Sequence, residues 1–336
     1  MIKRILLVGV ALFLWPVSAY CQQAQNASVV EGARKEGEIG WYTTMSLDQS
    51  KQYMDRFVKK YPFLKPTIFR SGGGAVLNRI LSEDKARKVL FDVVNGNAEL
   101  VLPLQKAGVV APYASTERDM IPEDLKDAKG YWTSVYVNSI VIGYNKNLVR
   151  QKNLPRTYED LLGSQWKGRK ISLDDSYTTF LQGLISVWGK EKAVAYLKRL
   201  AAQEPVVMRG STARVQLASA GEFPLVMAYA NIIQNIAEKG APVDWIPLEP
   251  VVVSVNTVMM GAKPRHPNAA KLFIDFMLSR EGQEKLWDFQ RIPSRSDVEP
   301  KPARLFRGYK RYVVAPEEYE GHHEVIKLYS QILQTR

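Results

Sequence analysis

Polar side chains able to hold a small solute recur in this sequence at the ends of β-prone runs. The sharpest instance is Arg70-Ser71-Gly72-Gly73-Gly74. It follows Pro66-Thr67-Ile68-Phe69 and precedes a stretch in which Val76, Leu77, Ile80 and Leu81 recur at helical spacing. That order is strand, glycine turn, helix. Glycine permits backbone conformations that a Cβ forbids, so successive N–H groups can face one way. A helix opening there adds its positive dipole end and unpaired N–H donors. Ser71, Gly72 and Gly73 are therefore candidate oxyanion contacts, although the same pattern also serves as a plain turn. Thr43 and Thr44 close an earlier run, and Gly96-Asn97 closes a later one. Ser176, the pair Ser211-Thr212, and Tyr229 stand at the ends of three more.

The elements that must position these groups form two series. In the first, residues 38–44 read as a strand. A helix follows with Leu47, Met54, Phe57 and Tyr61 on one face, stopped by Pro62. The glycine turn and its helix come next, then a strand at 91–95 and a helix through Leu100, Leu102 and Leu104. Three βα units in succession imply a parallel sheet, and ligands sit beyond the carboxyl ends of such strands. A second βα series spans 170–229, with helices predicted to bury Phe180, Leu184, Val187 and Trp188, and later Val215, Leu217 and Ala218. Between and after the two series lie extended apolar runs at 132–142 and 251–260. Thr157 is placed to cap a helix whose first turn holds Glu159 and Asp160. Helices are also expected at 193–200, 267–277 and 324–333.

The chain starts Met1-Ile2-Lys3-Arg4, continues with an apolar run at 5–17, and reaches small residues around Ala19 and Cys21. That is the pattern of a secretory signal peptide over 1–21, too short for a comfortable membrane span. The mature chain is expected to be exported. Lipidation of Cys21 is disfavoured because Tyr20 is bulky where such sites want a small residue. Cys21 is the single cysteine, so no internal disulfide can form, and core burial must supply stability.

The net charge is +12, from 46 Lys and Arg against 34 Asp and Glu. These basic residues are spread along the whole chain without a dense cluster, so we expect a solvated surface that favours anions weakly, and no nucleic-acid partner. Enzyme chemistry finds little footing. There is no G-x-S-x-G, no histidine near a candidate serine, and no Walker or Rossmann fingerprint, so no cofactor is expected. The Asp174-Asp175 pair suits a turn or helix cap better than an acid/base dyad. Trp41, Trp132, Trp166 and Trp188 are expected as core or hinge aromatics.

Several passages carry a family resemblance. They are FDVVNGNAELVLPLQKAGVVAPY at 91–113, TYEDLLGSQWKGRKISLDD at 157–175, GSTARVQLASAGEFPLVMAY at 210–229, HPNAAKLFIDFMLSREGQEKL at 266–286 and IPSRSDV at 292–298. With them the chain resembles periplasmic solute-binding proteins of ABC importers, in the branch that contains ferric-iron-binding proteins. The resemblance implies an α/β, two-lobed type 2 periplasmic-binding-protein fold. Each lobe is a mainly parallel sheet flanked by helices, with the ligand cleft between them. It puts lobe one in 28–137 plus 255–336 and lobe two in 138–254, with crossings near 136–138 and 251–256. Tyr136 and Asn138 thereby join the candidate site. The implied function is non-catalytic capture of a small polar, anionic solute by a monomer that delivers it to an inner-membrane permease. Ferric capture with a synergistic anion is the alternative, and a secreted hydrolase a weaker one. Ferric members hold iron with a histidine or acid near the first strand end, an acid near the third, and two adjacent tyrosines. This chain has Thr43-Thr44-Met45, Asn97, and Tyr229 followed by Ala230. His266 precedes a proline, and the adjacent His322-His323 make a poor clamp, so no protein metal site is expected.

Overall fold

Two long strands tie the molecule together. The computed structural model describes the backbone of residues 17–334 and the side chains of residues 27–334. Most of the expected signal peptide and the Cys21 side chain lie outside the described residues. The strands are β1 (Glu38–Thr43), β2 (Lys65–Arg70), β3 (Val93–Asn97), β4 (Val110–Ala111), β5 (Thr133–Asn145) and β6 (Ile171–Leu173). They continue with β7 (Val206–Val207), β8 (Leu225–Tyr229), β9 (Val243–Ile246), β10 (Val251–Gly261), β11 (Ile292–Pro293) and β12 (Arg311–Val314).

Their order is β2-β1-β3-β10-β5-β8-β6-β7. β1 runs parallel to β2 and β3, whereas β10 is antiparallel to β3. Beyond β5, β6 runs parallel to β7 and β8. β5 is the bridge. Its first half, 133–139, pairs with β10, and its second half, 140–145, pairs with β8 and β9. All thirteen of its residues are buried, the polar Thr133, Ser134, Asn138, Ser139 and Asn145 included. The result is two lobes, each a sheet with flanking helices, joined through β5 and β10.

Local physics explains the flanking elements. In the helix Leu47–Lys60, Ser50, Tyr53, Met54 and Phe57 are buried at spacings of three and four. Asp48 in its first turn and Lys59 and Lys60 in its last match the helix dipole. Phe57, Trp41 and Phe273 then stack edge to face, with centroids 4.9 and 5.0 Å apart. Leu47 and Val187, expected on buried faces, are exposed. At 159–162 the expected helix is a 3-10 turn only: Thr157 Oγ1 accepts from Asp160 N at 3.3 Å, and Gly163 follows at once. Two helices went unforeseen, Val17–Glu36 and Ala230–Glu238.

The C-terminal segment touches elements of both series. The helix His322–Leu333 packs on Thr178–Trp188 and Lys190–Ala201. Leu305, Val314, Tyr319 and Tyr329 share a core with Phe180, Leu184 and Leu197. The 3-10 turn Pro316–Tyr319 packs instead on residues 98–106, and Trp132 Nε1 donates to Glu317 Oε1 at 3.0 Å. β12 pairs with the 251–254 half of β10.

Candidate functional site

A cleft opens between the lobes where β5 crosses. Its larger cavity, about 430 Å³, is lined by Gln49 and Arg291 from one lobe, Asn138 from the crossing strand, and Thr212, Tyr229 and Asn231 from the other. A second cavity, about 310 Å³, is bordered by Asn97, Glu99, Asp175, Ser176, Tyr229, Ser254 and Tyr319. The Tyr229 side chain borders both.

Arg291 shares the larger cavity with Asp48, Lys239 and Asp288. Its guanidinium lies over the Tyr136 ring, 4.4 Å from the centroid. Nη2 donates to Gln49 Oε1 at 2.9 Å and Nη1 reaches Asn138 Oδ1 at 3.5 Å. Nε is buried and lacks a partner, as does Asn231 Oδ1 on the opposite wall. Among the described residues no carboxylate lies within ion-pair distance of Arg291. A cation so placed, with free donors in a polar cavity, suits a carboxylate or phosphate. The backbone helps present it. Gln290 takes a left-handed conformation (φ 54°), turning the chain between the 3-10 turn Leu286–Phe289 and β11.

The second cavity gathers oxygen atoms. Tyr229 packs on Tyr177 with centroids 4.8 Å apart, and burial pushes the Tyr229 phenol well above its usual range. Tyr319 is raised likewise by burial, and its hydroxyl bonds Thr179 Oγ1 at 2.7 Å. Burial raises the Glu99 carboxyl, against the pull of Asn97. Beneath this cavity lies a buried ion pair. Arg214 Nη2 meets Asp174 Oδ2 at 2.9 Å, with side chains 0% and 2% exposed. The same carboxylate accepts from Gly210 N at 3.1 Å and from Ser176 N at 3.0 Å. It thus holds two strand-end loops together.

The expected site residues divide. Asn97, Asn138, Ser176, Thr212 and Tyr229 line the two cavities. Tyr136 is buried beneath Arg291. Ser211 is buried with its hydroxyl bonded to Tyr177. Thr43 is buried within the sheet, bonding Asn95 Oδ1 at 3.0 Å and Met45 N at 3.0 Å. Thr44 accepts from Asn256 at 3.5 Å. The glycine turn stands apart from both cavities. Gly72 caps the helix Gly73–Lys85 in an extended conformation, and none of Gly72, Gly73 or Gly74 has positive φ. A Cβ on Gly73 would meet Glu99 Oε1 at 2.9 Å, so a protein carboxylate already lies beside that helix end. Sequence reasoning missed Arg291, Gln49, Asn231, Glu99 and Asp175.

The histidines lie elsewhere. His266 bonds Asp92 through Nδ1 at 2.8 Å. His322 is buried against Thr178, while His323 is exposed. Among the described residues no group of three or more His, Cys, Asp or Glu could hold a metal, and no helix is long and apolar enough to cross a membrane.

Comparison with known proteins agrees with this architecture. The chain is 25% identical to iron uptake protein A1 of a Synechocystis species over 290 residues, covering 78% of this chain and 77% of that one. Iron-bound HitA of Pseudomonas aeruginosa superposes with a TM-score of 0.78 at 19% identity, over 88% of this chain and 99% of that one. AfuA of Actinobacillus pleuropneumoniae, solved with fructose-6-phosphate, gives 0.73 at 21% identity, over 89% and 99%. These structures share its two-lobed type 2 periplasmic-binding-protein fold. The model for bacterial extracellular solute-binding proteins matches residues 90–309, well over half of the chain, and the chain belongs to that family.

Proposed function

We propose that this protein is a periplasmic receptor that captures a small anionic solute between its lobes and delivers it to an inner-membrane ABC permease. It acts as a monomer and without catalysis. We assign 28–137 and 255–304 to one lobe, and 138–254 with 305–334 to the other. The observation that carries the reading is Arg291: a guanidinium seated on Tyr136 in the cleft, with a buried unpartnered Nε and no carboxylate partner among the described residues. Asn138, Thr212 and Asn231 supply neutral polar groups around it. Relatives described as ABC-transporter binding proteins support delivery to a permease.

A second reading has its own observation. Glu99, Asp175, Tyr229 and Tyr319 border one cavity and offer the hard oxygen donors that Fe(III) prefers, and iron-uptake proteins are among the relatives. Burial holds the Tyr229 and Tyr319 phenols and the Glu99 carboxyl protonated to higher pH than usual. Iron would therefore have to displace protons to bind there.

A thermal-shift panel of small phosphates, carboxylates, amines and ferric citrate tests both. A ligand at about 100 times its Kd stabilises by roughly 2.7 kcal/mol, an easily read rise in melting temperature. Stabilisation by phosphates or carboxylates is expected. Stabilisation by Fe(III) alone, with a visible phenolate-to-iron absorption band, would replace the anion reading with the ferric one.

A further inference from the structure

We propose that the cleft takes a dipolar solute, with its anionic group on Arg291, its ammonium group on Glu99, and the Tyr229 ring between them. The inference rests on the anion reading above and narrows it to small molecules carrying both charges.

Arg291 and Glu99 place opposite charges on the walls of the two cleft cavities. Neither Arg291 nor Glu99 has an ion-pair partner among the described residues. They line the two cavities that share Tyr229. Both act on the same phenol: Glu99 raises the Tyr229 pKa and Arg291 lowers it. Of the other charges on the cavity walls, Asp48 accepts from Gln52 Nε2 at 3.0 Å and has no ion pair among the described residues. Arg209 pairs with Asp175 at 2.9 Å, and Asp288 with Lys285 at 2.7 Å. Lys239 is exposed.

Glu99 is only partly exposed, and the amino end of the helix Gly73–Lys85 lies beside it at Gly73. A helix end is a weak countercharge, equivalent to about half an elementary charge. Leaving a carboxylate desolvated with so little compensation is unfavourable, and a ligand that brings an ammonium relieves it. A hydroxyl would satisfy the hydrogen bond but not the charge. Cavities of about 430 and 310 Å³ suit a metabolite-sized molecule reaching both groups.

Calorimetry on the purified protein at low salt, with matched probe pairs, tests this. The pairs are 2-aminoethyl phosphate against ethyl phosphate, and β-alanine against propionate. The amine-bearing member should bind about tenfold tighter or better, the effect of one charge-assisted contact. Glu99→Gln should shrink that ratio to within about threefold. Arg291→Met should weaken both members of each pair. If the simple anions bind and the amine adds nothing, or if the ratio survives Glu99→Gln, the dipolar inference fails and the anion reading stands. If no member of either pair binds, both fall. The wild-type ratio decides the matter should Glu99→Gln not fold.

Discussion

Replacing Asp174 by asparagine should damage this protein more than its loop position suggests. The carboxylate and Arg214 are almost wholly withdrawn from water, at 2% and 0% exposure, and meet at 2.9 Å. Arg214 Nη1 also donates to Met227 O at 2.7 Å, and its Nε has no partner. Asparagine keeps one oxygen for the Ser176 N–H but leaves the guanidinium buried without a countercharge. Breaking one side of a buried pair costs about 3–5 kcal/mol. At about 2–4 °C per kcal/mol for a unit of this size, the melting temperature should fall by roughly 6–20 °C. Urea denaturation with a matched m-value gives the energy directly. The double variant Asp174→Asn/Arg214→Met removes the stranded charge and should return toward wild type, because an apolar replacement of a whole buried pair is often neutral. A loss below about 1 kcal/mol for Asp174→Asn would refute the reasoning, since it would put the pair in the class of exposed ion pairs.

Other expectations follow from particular contacts. A Cβ on Gly282 would lie 1.9 Å from the Phe276 carbonyl oxygen, so Gly282→Ala should lose about 1–3 kcal/mol in denaturant titration through backbone displacement. Burial lowers the His322 pKa to about 4 from its ordinary 6.5. The unfolded chain thus binds more protons between those values, and stability present above pH 6.5 should fall as pH drops toward 4. His322→Gln should remove that part of the slope in melting-temperature scans. Lys106–Glu320 at 2.8 Å and Gln290–Glu238 at 3.0 Å link groups from the two lobes. Ligand-driven closure about β5 and β10 should shrink the radius of gyration in small-angle scattering, and an unchanged value at saturation would count against a hinge.

Much of the scaffold was legible in the sequence. The run Trp132 to Ile142 reads as a strand, and Met54 and Phe57 recur at helical spacing. The site was harder, because polar strand ends have two uses. Thr43, Asn95, Asn97 and Asn256 satisfy one another: Asn95 Nδ2 donates to Asn256 Oδ1 at 2.7 Å, and Asn256 Nδ2 to Asn97 Oδ1 at 3.1 Å. Such amides stitch strands as readily as they hold solute, and only the fold tells which. Arg291 was invisible for the opposite reason. One arginine among 46 basic residues carries no local signature. Its importance comes from Tyr136 and Asn138, about 150 positions away, as chain length and burial decide. The glycine run drew notice through its composition, yet its helix end faces Glu99 and lies apart from both cavities. The apolar face of the C-terminal helix, with Tyr329 and Leu333, fits either lobe by sequence, and only the fold shows it packed on Thr178–Trp188 and Lys190–Ala201.

The most direct test of the account is the affinity of a stabilising anion from the thermal-shift panel, measured calorimetrically for wild type and Arg291→Met. Methionine keeps an apolar stem over Tyr136 and removes the charge. Charge-assisted bonds are worth roughly 1.5–3 kcal/mol, so affinity should fall about tenfold or more, with the melting temperature of the free protein shifted by less than about 4 °C. Binding of the anion at wild-type affinity by a normally folded Arg291→Met protein would contradict the account.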